Sequence, residues 1–175
     1  MKSLTNVLYL GFFFLSFLSW SQNNRPQEPK EPFSYTSENI TFINYSADSI
    51  PLAGTLTLPK DLKNPPIAIL ISGSGPQDRN EELLGHKPFL VIADYLTNHG
   101  IGVFRYDDRG VGESKGDFTT ATTFDFATDV EAAIAYLKSR NDVDTSKLGL
   151  IGHSEGGIIA PMVASKNKNV AFAVL

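Results

Sequence analysis

From about Ser37 onward the apolar positions fall into two alternating patterns. "NITFINYS" (39–46) and "LAGTLTLP" (52–59) alternate apolar with polar side chains and are rich in β-formers. This period of two predicts two strands, and the short connection "ADSIP" predicts that they pair antiparallel. "PIAILISG" (66–73) is instead a continuous apolar run stopped by Gly73, "IGVFRYD" (101–107) and "KLGLIG" (147–152) read as two further buried strands, and "VAFAVL" (170–175) as a fourth strand. Runs of that kind suit strands covered on both faces. Segments of helical period separate them. "KPFLVIADYLTNHG" (87–100) brings Phe89, Ile92, Ala93 and Leu96 to one side and stops at Gly100, a natural helix terminator. "TTFDFATDVEAAIAYLKSR" (122–140) aligns Phe126, Val130, Ala133, Ile134 and Leu137 on one stripe. Thr and Asp crowd its start and Lys138 and Arg140 its end, as the helix dipole favours. "GGIIAPMVASK" (156–166) predicts a third helix, bent or restarted at Pro161. The order β-β-β-α-β-α-β-α-β predicts an α/β fold: a mostly parallel sheet with helices on both faces and an antiparallel N-terminal strand pair at its edge.

The first residues follow a different logic. "MKSLTNVLYLGFFFLSFLSWSQ" has Lys2, an apolar stretch from Val7 to Leu18, then Ser19 and Ser21 around Trp20. These are the three regions of a secretory signal peptide over residues 1–21, with a mature chain beginning at Gln22. The apolar stretch is shorter than the roughly 20 residues of a membrane-spanning helix, so an exported chain, periplasmic or secreted, is expected in preference to a membrane anchor. "QNNRPQEPKEPFSY" carries three prolines and several charges, and residues 22–36 are expected to form a solvated linker ahead of a domain at 37–175.

Composition narrows the chemistry. The 175-residue chain is 42% hydrophobic and carries a net charge of −4. It can bury a core but offers no basic face to nucleic acid. It has no cysteine, which excludes disulfides and thiolate metal sites. His86, His99 and His153 are too scattered to form a metal motif, and no cofactor is implied.

One stretch supplies chemistry. In "LGLIGHSEGGIIA" (148–160) a single Ser sits where a buried strand gives way to a helix. Gly152-His153-Ser154-Glu155-Gly156 has the G-x-S-x-G spacing of a nucleophile elbow, a strained turn that exposes the Ser hydroxyl above the carboxyl edge of a sheet. Gly152 and Gly156 let strand and helix approach closely, and Gly157 is a third small residue expected to help the helix pack onto the strand. A tetrahedral intermediate needs two N–H donors. One is Glu155, immediately after the nucleophile; the other comes from the loop after the first parallel strand, here Ser72-Gly73-Ser74-Gly75-Pro76.

The elbow and the element order resemble the α/β-hydrolase superfamily over roughly residues 39–175. "ISGSGPQDRNE" (71–81) resembles the loop after the first parallel strand in bacterial esterases of the EstD type and in hydrolases related to prolyl oligopeptidase and serine aminopeptidase. "FRYDDRGVGESKGDF" (104–118) and "DVDTSKLGLIGHSEGG" (142–157) resemble further segments of the same enzymes. The resemblance implies an exported serine hydrolase that cleaves carboxylic esters through an acyl-enzyme on Ser154, with a peptidase of the related group, or a non-catalytic hydrolase domain retained for binding, as alternatives. The partner is then a small-molecule ester or peptide. It also implies Ser74 as the second oxyanion donor, with Gly75 as the alternative.

The neighbouring groups receive structural roles. Asp108 and Arg109 are expected to tie down the "RGVGESKG" loop by a charge-assisted hydrogen bond. Lys115 lies at the wrong spacing for a phosphate loop. His153 is expected to be packed or hydrogen-bonded below the elbow rather than to act as base. The fold orders its triad Ser, acid, His. Asp107, Asp108, Asp125 and Asp129 all precede Ser154, so the acid and the His are expected beyond Leu175, in a protein of which this chain is the N-terminal portion.

Overall fold

The computed structural model describes residues 25–175. The signal segment expected at 1–21 lies outside the described residues. Six strands form one sheet: β1 (Thr36–Asn44), β2 (Ile50–Leu58), β3 (Pro66–Ile71), β4 (Gly102–Tyr106), β5 (Asp144–Gly152) and β6 (Val170–Val174). Three helices connect the later ones: α1 (Pro88–Asn98), α2 (Thr123–Lys138) and α3 (Gly156–Ala164). The strand order is β1-β2-β4-β3-β5-β6. β1 pairs antiparallel with β2, and β2 antiparallel with β4. β4, β3, β5 and β6 run parallel. This is the mixed sheet that the apolar pattern predicts.

Packing on both faces explains the apolar runs of β3, β4 and β5, whereas β6, expected to be covered as well, lies at the sheet edge with Phe172 and Val174 42% and 51% exposed. Along β3, Ile67, Ile69 and Ile71 face a large core built with α2 and α3, where they meet Val130, Ile134, Leu137, Ile159 and Val163. Leu70 faces the other way, into a smaller core with Phe89 and Ala93 of α1 and Val103 of β4. The two-residue period of a strand requires that division. Both faces of β3 are dry, which suits its unbroken apolar run; β4 departs from this with Arg105, which is 5% exposed.

The helices follow their sequence signals with three corrections. Thr122 caps α2 in a capping box with Asp125, which satisfies free N–H groups at the helix start. On α1 the buried positions are Phe89, Ala93 and Thr97, whereas Ile92 is 37% exposed. The hydroxyl of Thr97 reaches that of Thr57 at 2.7 Å, so a polar residue enters the stripe with its partner. On α2 the stripe includes Asp129, a buried carboxylate that apolar periodicity does not register. α3 continues through Pro161 without a restart. Proline removes one backbone donor and crowds the carbonyl four residues earlier, here that of Gly157.

Residues 25–35 contain no helix or strand. Arg25 donates to the Leu84 carbonyl at 2.6 Å and to that of Gly85, and Lys60 donates to the Phe33 carbonyl at 3.1 Å. Among the described residues no helix is long and apolar enough to cross a membrane.

Candidate active site

β5 and α3 meet in a turn too tight for ordinary residues. Ser154 has φ +51°, in the left-handed region that costs a non-glycine residue roughly 1–3 kcal/mol when the surroundings enforce it. A Cβ on Gly152 would lie 2.1 Å from the Gly156 carbonyl oxygen, and one on Gly156 would lie 2.2 Å from that of Ile71. No side chain fits at either place, so both glycines are dictated by the close approach of β5, α3 and β3. Gly157 differs: a Cβ there would meet nothing nearer than 3.8 Å. The helix packs closely through Gly156, and Gly157 is not the small contact its position in the run suggests. The resulting turn leaves Ser154 exposed at the carboxyl edge of the sheet.

The loop after β3 lies against this turn. A Cβ on Gly73 would sit 3.1 Å from the Ser154 Cβ. The Gly73 N–H donates to Glu81 Oε1 at 2.7 Å, so it is not free to receive an oxyanion. The N–H groups of Ser74 and Glu155 donate to no backbone carbonyl among the described residues. The Glu155 side chain is engaged by Thr123, whose hydroxyl donates to Glu155 Oε1 at 2.6 Å. Beside Ser154 a cleft of about 200 Å³ is lined by Gly73, Ser74, Gln77, Leu83 and Pro88. Ser154, Ser74 and Glu155 are thus brought together.

Two carboxylates that the sequence did not assign to the site hold this loop. Asp108 Oδ1 accepts from the Ser72 hydroxyl at 2.7 Å, and its Oδ2 accepts from the Gln77 N–H at 3.0 Å. The Asp108 N–H donates back to the Gln77 carbonyl at 3.0 Å. One residue thereby grips both ends of Ser72–Gln77. Glu81 is the second, through Gly73. Its only sequence signal is a charge run directly after a glycine–proline loop, which ordinarily reads as a solvated turn.

The expected pairing of Asp108 with Arg109 is replaced by two separate attachments. Arg109 turns to α2, where its Nε donates to Asp129 Oδ2 at 2.8 Å and its Nη2 to Oδ1 at 2.9 Å. Asp107, one residue before Asp108, accepts from Arg79 Nε at 2.9 Å and from the Arg79 backbone N–H at 2.8 Å. Successive residues leaving β4 point in different directions, so neighbours in sequence serve different elements.

The histidines are also placed. His153 hydrogen-bonds Glu81 through Nδ1 at 2.7 Å, with its side chain 65% exposed. It is held at the rim of the cleft rather than packed below the turn. His99 lies against Tyr95, with Nδ1 2.7 Å from the Tyr95 carbonyl oxygen. His86 is exposed in the loop before α1. Among the described residues no cluster of three or more His, Asp or Glu is arranged to hold a metal ion.

Burial pushes the Asp108 carboxyl up to about 7; the bonds from Ser72 and Gln77 oppose the rise, and the charges of Asp129 and Asp107 add to it. The folded value lies above the ordinary carboxylate value near 4. Between about pH 4 and about pH 7 the folded protein therefore keeps a proton that the unfolded chain has released, and Asp108 lowers stability as pH rises through that window. Asp108→Asn cannot ionise and its amide still has one acceptor and two donors. In urea titrations from about pH 4 to about pH 8, the midpoint of the wild type should fall relative to that of Asp108→Asn. A constant difference would show that Asp108 does not titrate in this range.

Comparison with known proteins fits this geometry. Residues 87–175 match the family model Hydrolase_4, described as "Serine aminopeptidase, S33". The chain belongs to this family. As a Hydrolase_4 member it has the α/β-hydrolase fold, and its neighbours agree. It is 33% identical over 138 residues to the esterase EstD of Thermotoga maritima, an alignment covering 79% of this chain and 31% of EstD. The crystal structure of the α/β-hydrolase GrgF from Penicillium sp. sh18 superposes with a TM-score of 0.67 at 25% identity, covering 79% of this chain and 44% of GrgF. Est1E from Butyrivibrio proteoclasticus, solved with ferulic acid bound, gives 0.63 at 26% identity, covering 75% of this chain and 49% of Est1E. The chain thus spans about a third of EstD and less than half of each of these solved neighbours.

Proposed function

We propose that this chain carries the nucleophile and oxyanion donors of a serine hydrolase acting on carboxylic esters. The observation that carries the reading is Ser154 at φ +51°, exposed at a glycine-bounded turn against a loop with a free backbone donor. A strained, solvent-facing hydroxyl has no packing role that would hold it there, and such strain concentrates at functional sites. Ser154 attacks the ester carbonyl and the alcohol leaves. The N–H groups of Glu155 and Ser74 stabilise the tetrahedral oxyanion, and water cleaves the acyl-enzyme. A serine hydroxyl needs a base to take its proton. We assign that His and its supporting acid to the part of such a protein outside the span this chain matches in EstD. The likeness to EstD favours esters, whereas the description of the family model favours aminoacyl substrates. Rates on p-nitrophenyl esters and aminoacyl p-nitroanilides decide between them, and faster cleavage of the anilides would reject the ester reading.

The second donor is tested at Ser74. It is assigned through its backbone N–H, so Ser74→Ala should leave turnover nearly unchanged. Ser74→Pro removes the donor, and the acylation barrier should rise by about 3 kcal/mol. If alanine proved as damaging as proline in steady-state kinetics, the hydroxyl would be the working group.

Export through residues 1–21 belongs to the same proposal. N-terminal sequencing of the exported protein should read Gln22 first. A chain still beginning at Met1 in the membrane fraction would mean an anchor instead.

A further inference from the structure

The structure assigns Glu81 a positioning role: one carboxylate oxygen fastens the oxyanion loop to the nucleophile turn. This inference rests on the serine-hydrolase reading above. Glu81 Oε1 accepts from the Gly73 N–H at 2.7 Å and from His153 Nδ1 at 2.7 Å. Gly73 precedes the assigned donor Ser74, and His153 precedes the nucleophile. A single atom therefore bridges the two chain segments whose relative placement sets the distance from Ser154 to the second oxyanion donor.

The surroundings show that the carboxylate is presented rather than merely accommodated. Glu81 is 7% exposed and has φ +52°, again a conformation unfavourable for a side-chain-bearing residue. A tight turn holds it there. The Glu81 N–H donates to the Asp78 carbonyl at 2.9 Å, and Asp78 Oδ1 accepts from the N–H groups of Asn80 and Glu82, each at 3.0 Å. Arg79, in the same turn, is anchored on Asp107. The turn is thus fixed at its base, and its carboxylate reaches into the cleft beside Ser154.

The bond to Gly73 has a direct consequence for Ser74. It fixes the peptide plane before Gly73. The Gln77 amide, donating to the Ser74 carbonyl at 3.3 Å, restrains the plane after Ser74. The N–H of Ser74 lies on the plane between them. Asp108 holds the ends of this loop, but the Glu81 carboxylate is the hydrogen-bond partner of the Gly73 N–H, and without it the Ser74 donor should be less sharply directed at the oxyanion. His153 holds the carboxylate from the other side, and its exposed ring makes it replaceable without harm to the core.

Such a role should appear in transition-state stabilisation and not in substrate binding. The intact protein is assayed on p-nitrophenyl acetate, and a trifluoromethyl ketone reports on the oxyanion site by forming a tetrahedral adduct with the serine. Glu81→Ala should lower kcat about tenfold, less than the hundredfold or more that follows outright loss of a donor. KM should stay within about twofold, and the ketone should bind more weakly by the factor lost in kcat. Glu81→Gln keeps an acceptor but loses the charge that strengthens both bonds, and should fall between alanine and wild type. His153→Ala should shift kcat and ketone affinity in the same direction by a smaller factor. Wild-type values in Glu81→Ala would overturn the assignment, and so would a loss in kcat without a matching loss in ketone affinity. If Glu81→Ala does not fold, wild-type values in both Glu81→Gln and His153→Ala overturn it equally. Ser154→Ala separates the two levels. Full turnover in that variant would reject the serine-hydrolase reading together with the clamp. An inactive Ser154→Ala beside wild-type Glu81 variants would reject the clamp alone.

Discussion

Ser154→Ala in the intact protein is expected to lower ester turnover by roughly a millionfold, the loss that follows removal of the nucleophile in a serine protease. The magnitude follows from the step that disappears. Without the hydroxyl no acyl-enzyme forms, and water must attack the bound ester directly. The N–H groups of Ser74 and Glu155 remain, so a residual acceleration of about a thousandfold or more over water is expected. Covalent labelling by a fluorophosphonate should vanish, because that reagent reports the activated serine itself. Stability gives an independent check on the turn. Alanine at φ +51° carries the same backbone strain as serine, whereas glycine releases it. Ser154→Gly should therefore exceed Ser154→Ala in stability by about 1 kcal/mol, with both inactive. A Ser154→Ala protein that still labels would place the nucleophile elsewhere.

The elbow was readable because its determinants are local. An apolar strand, two glycines two residues either side of a Ser, and a following helix all lie within 148–160, and the chain cannot make that turn with larger residues at 152 or 156. The element order was readable for the same reason, since the strands announce themselves by short apolar runs, unbroken in β3 and interrupted in β4 only by Arg105. What was not readable depends on contacts between distant segments. Glu81 meets His153 across 72 residues, and Ser72 meets Asp108 across 36. Nothing in either local sequence marks those partners. Arg109 illustrates the complementary error. Its sequence neighbour Asp108 offers an obvious counter-charge, yet the chain leaving β4 directs the two to opposite tasks, and the partner of Arg109 is Asp129, 20 residues on. Asp129 itself sits within the apolar stripe of α2, where hydrophobic periodicity has no means of flagging a carboxylate whose charge is neutralised in place.

That buried pair should dominate the stability of the loop-bearing side of the fold. Asp129→Ala is expected to destabilise the protein by about 3–5 kcal/mol, the usual result of removing one member of a buried ion pair. The Asp129 side chain is 1% exposed and that of Arg109 8%. The carboxylate accepts two bonds from the guanidinium and a third from Asn44 Nδ2 at 2.7 Å. Burial pushes the Asp129 carboxyl up, Arg109 and Asn44 pull against that rise, and the Asp125 charge adds to it. Alanine takes the bidentate carboxylate from a buried guanidinium, leaving it the Asp125 carboxylate at 3.8 Å and the Asp125 carbonyl and Thr128 hydroxyl as acceptors, and leaves Asn44 Nδ2 only the Thr128 hydroxyl. The cost is therefore that of a buried charge stripped of its bidentate partner, and it exceeds what the pair contributes over an apolar substitute. Replacing both partners, as Arg109→Met with Asp129→Leu, should consequently cost less than Asp129→Ala alone. A control lies at Arg140 and Glu38, 3.0 Å apart with the glutamate side chain 54% exposed. Solvent screens that pair, and Glu38→Ala should cost less than about 1 kcal/mol. Since a domain of this size has only about 5–15 kcal/mol of stability, Asp129→Ala should shift the urea midpoint strongly where Glu38→Ala barely moves it. Equal shifts would mean that Arg109 finds another partner or reaches water when Asp129 is lost. The effect also reaches the active site by a short route: α2, which Asp129 anchors to the loop after β4, begins with the Thr123 that holds the Glu155 side chain at 2.6 Å. Loosening this anchor should lower activity before the protein unfolds globally, so in a urea titration of Asp129→Ala the loss of turnover should precede the loss of helical signal.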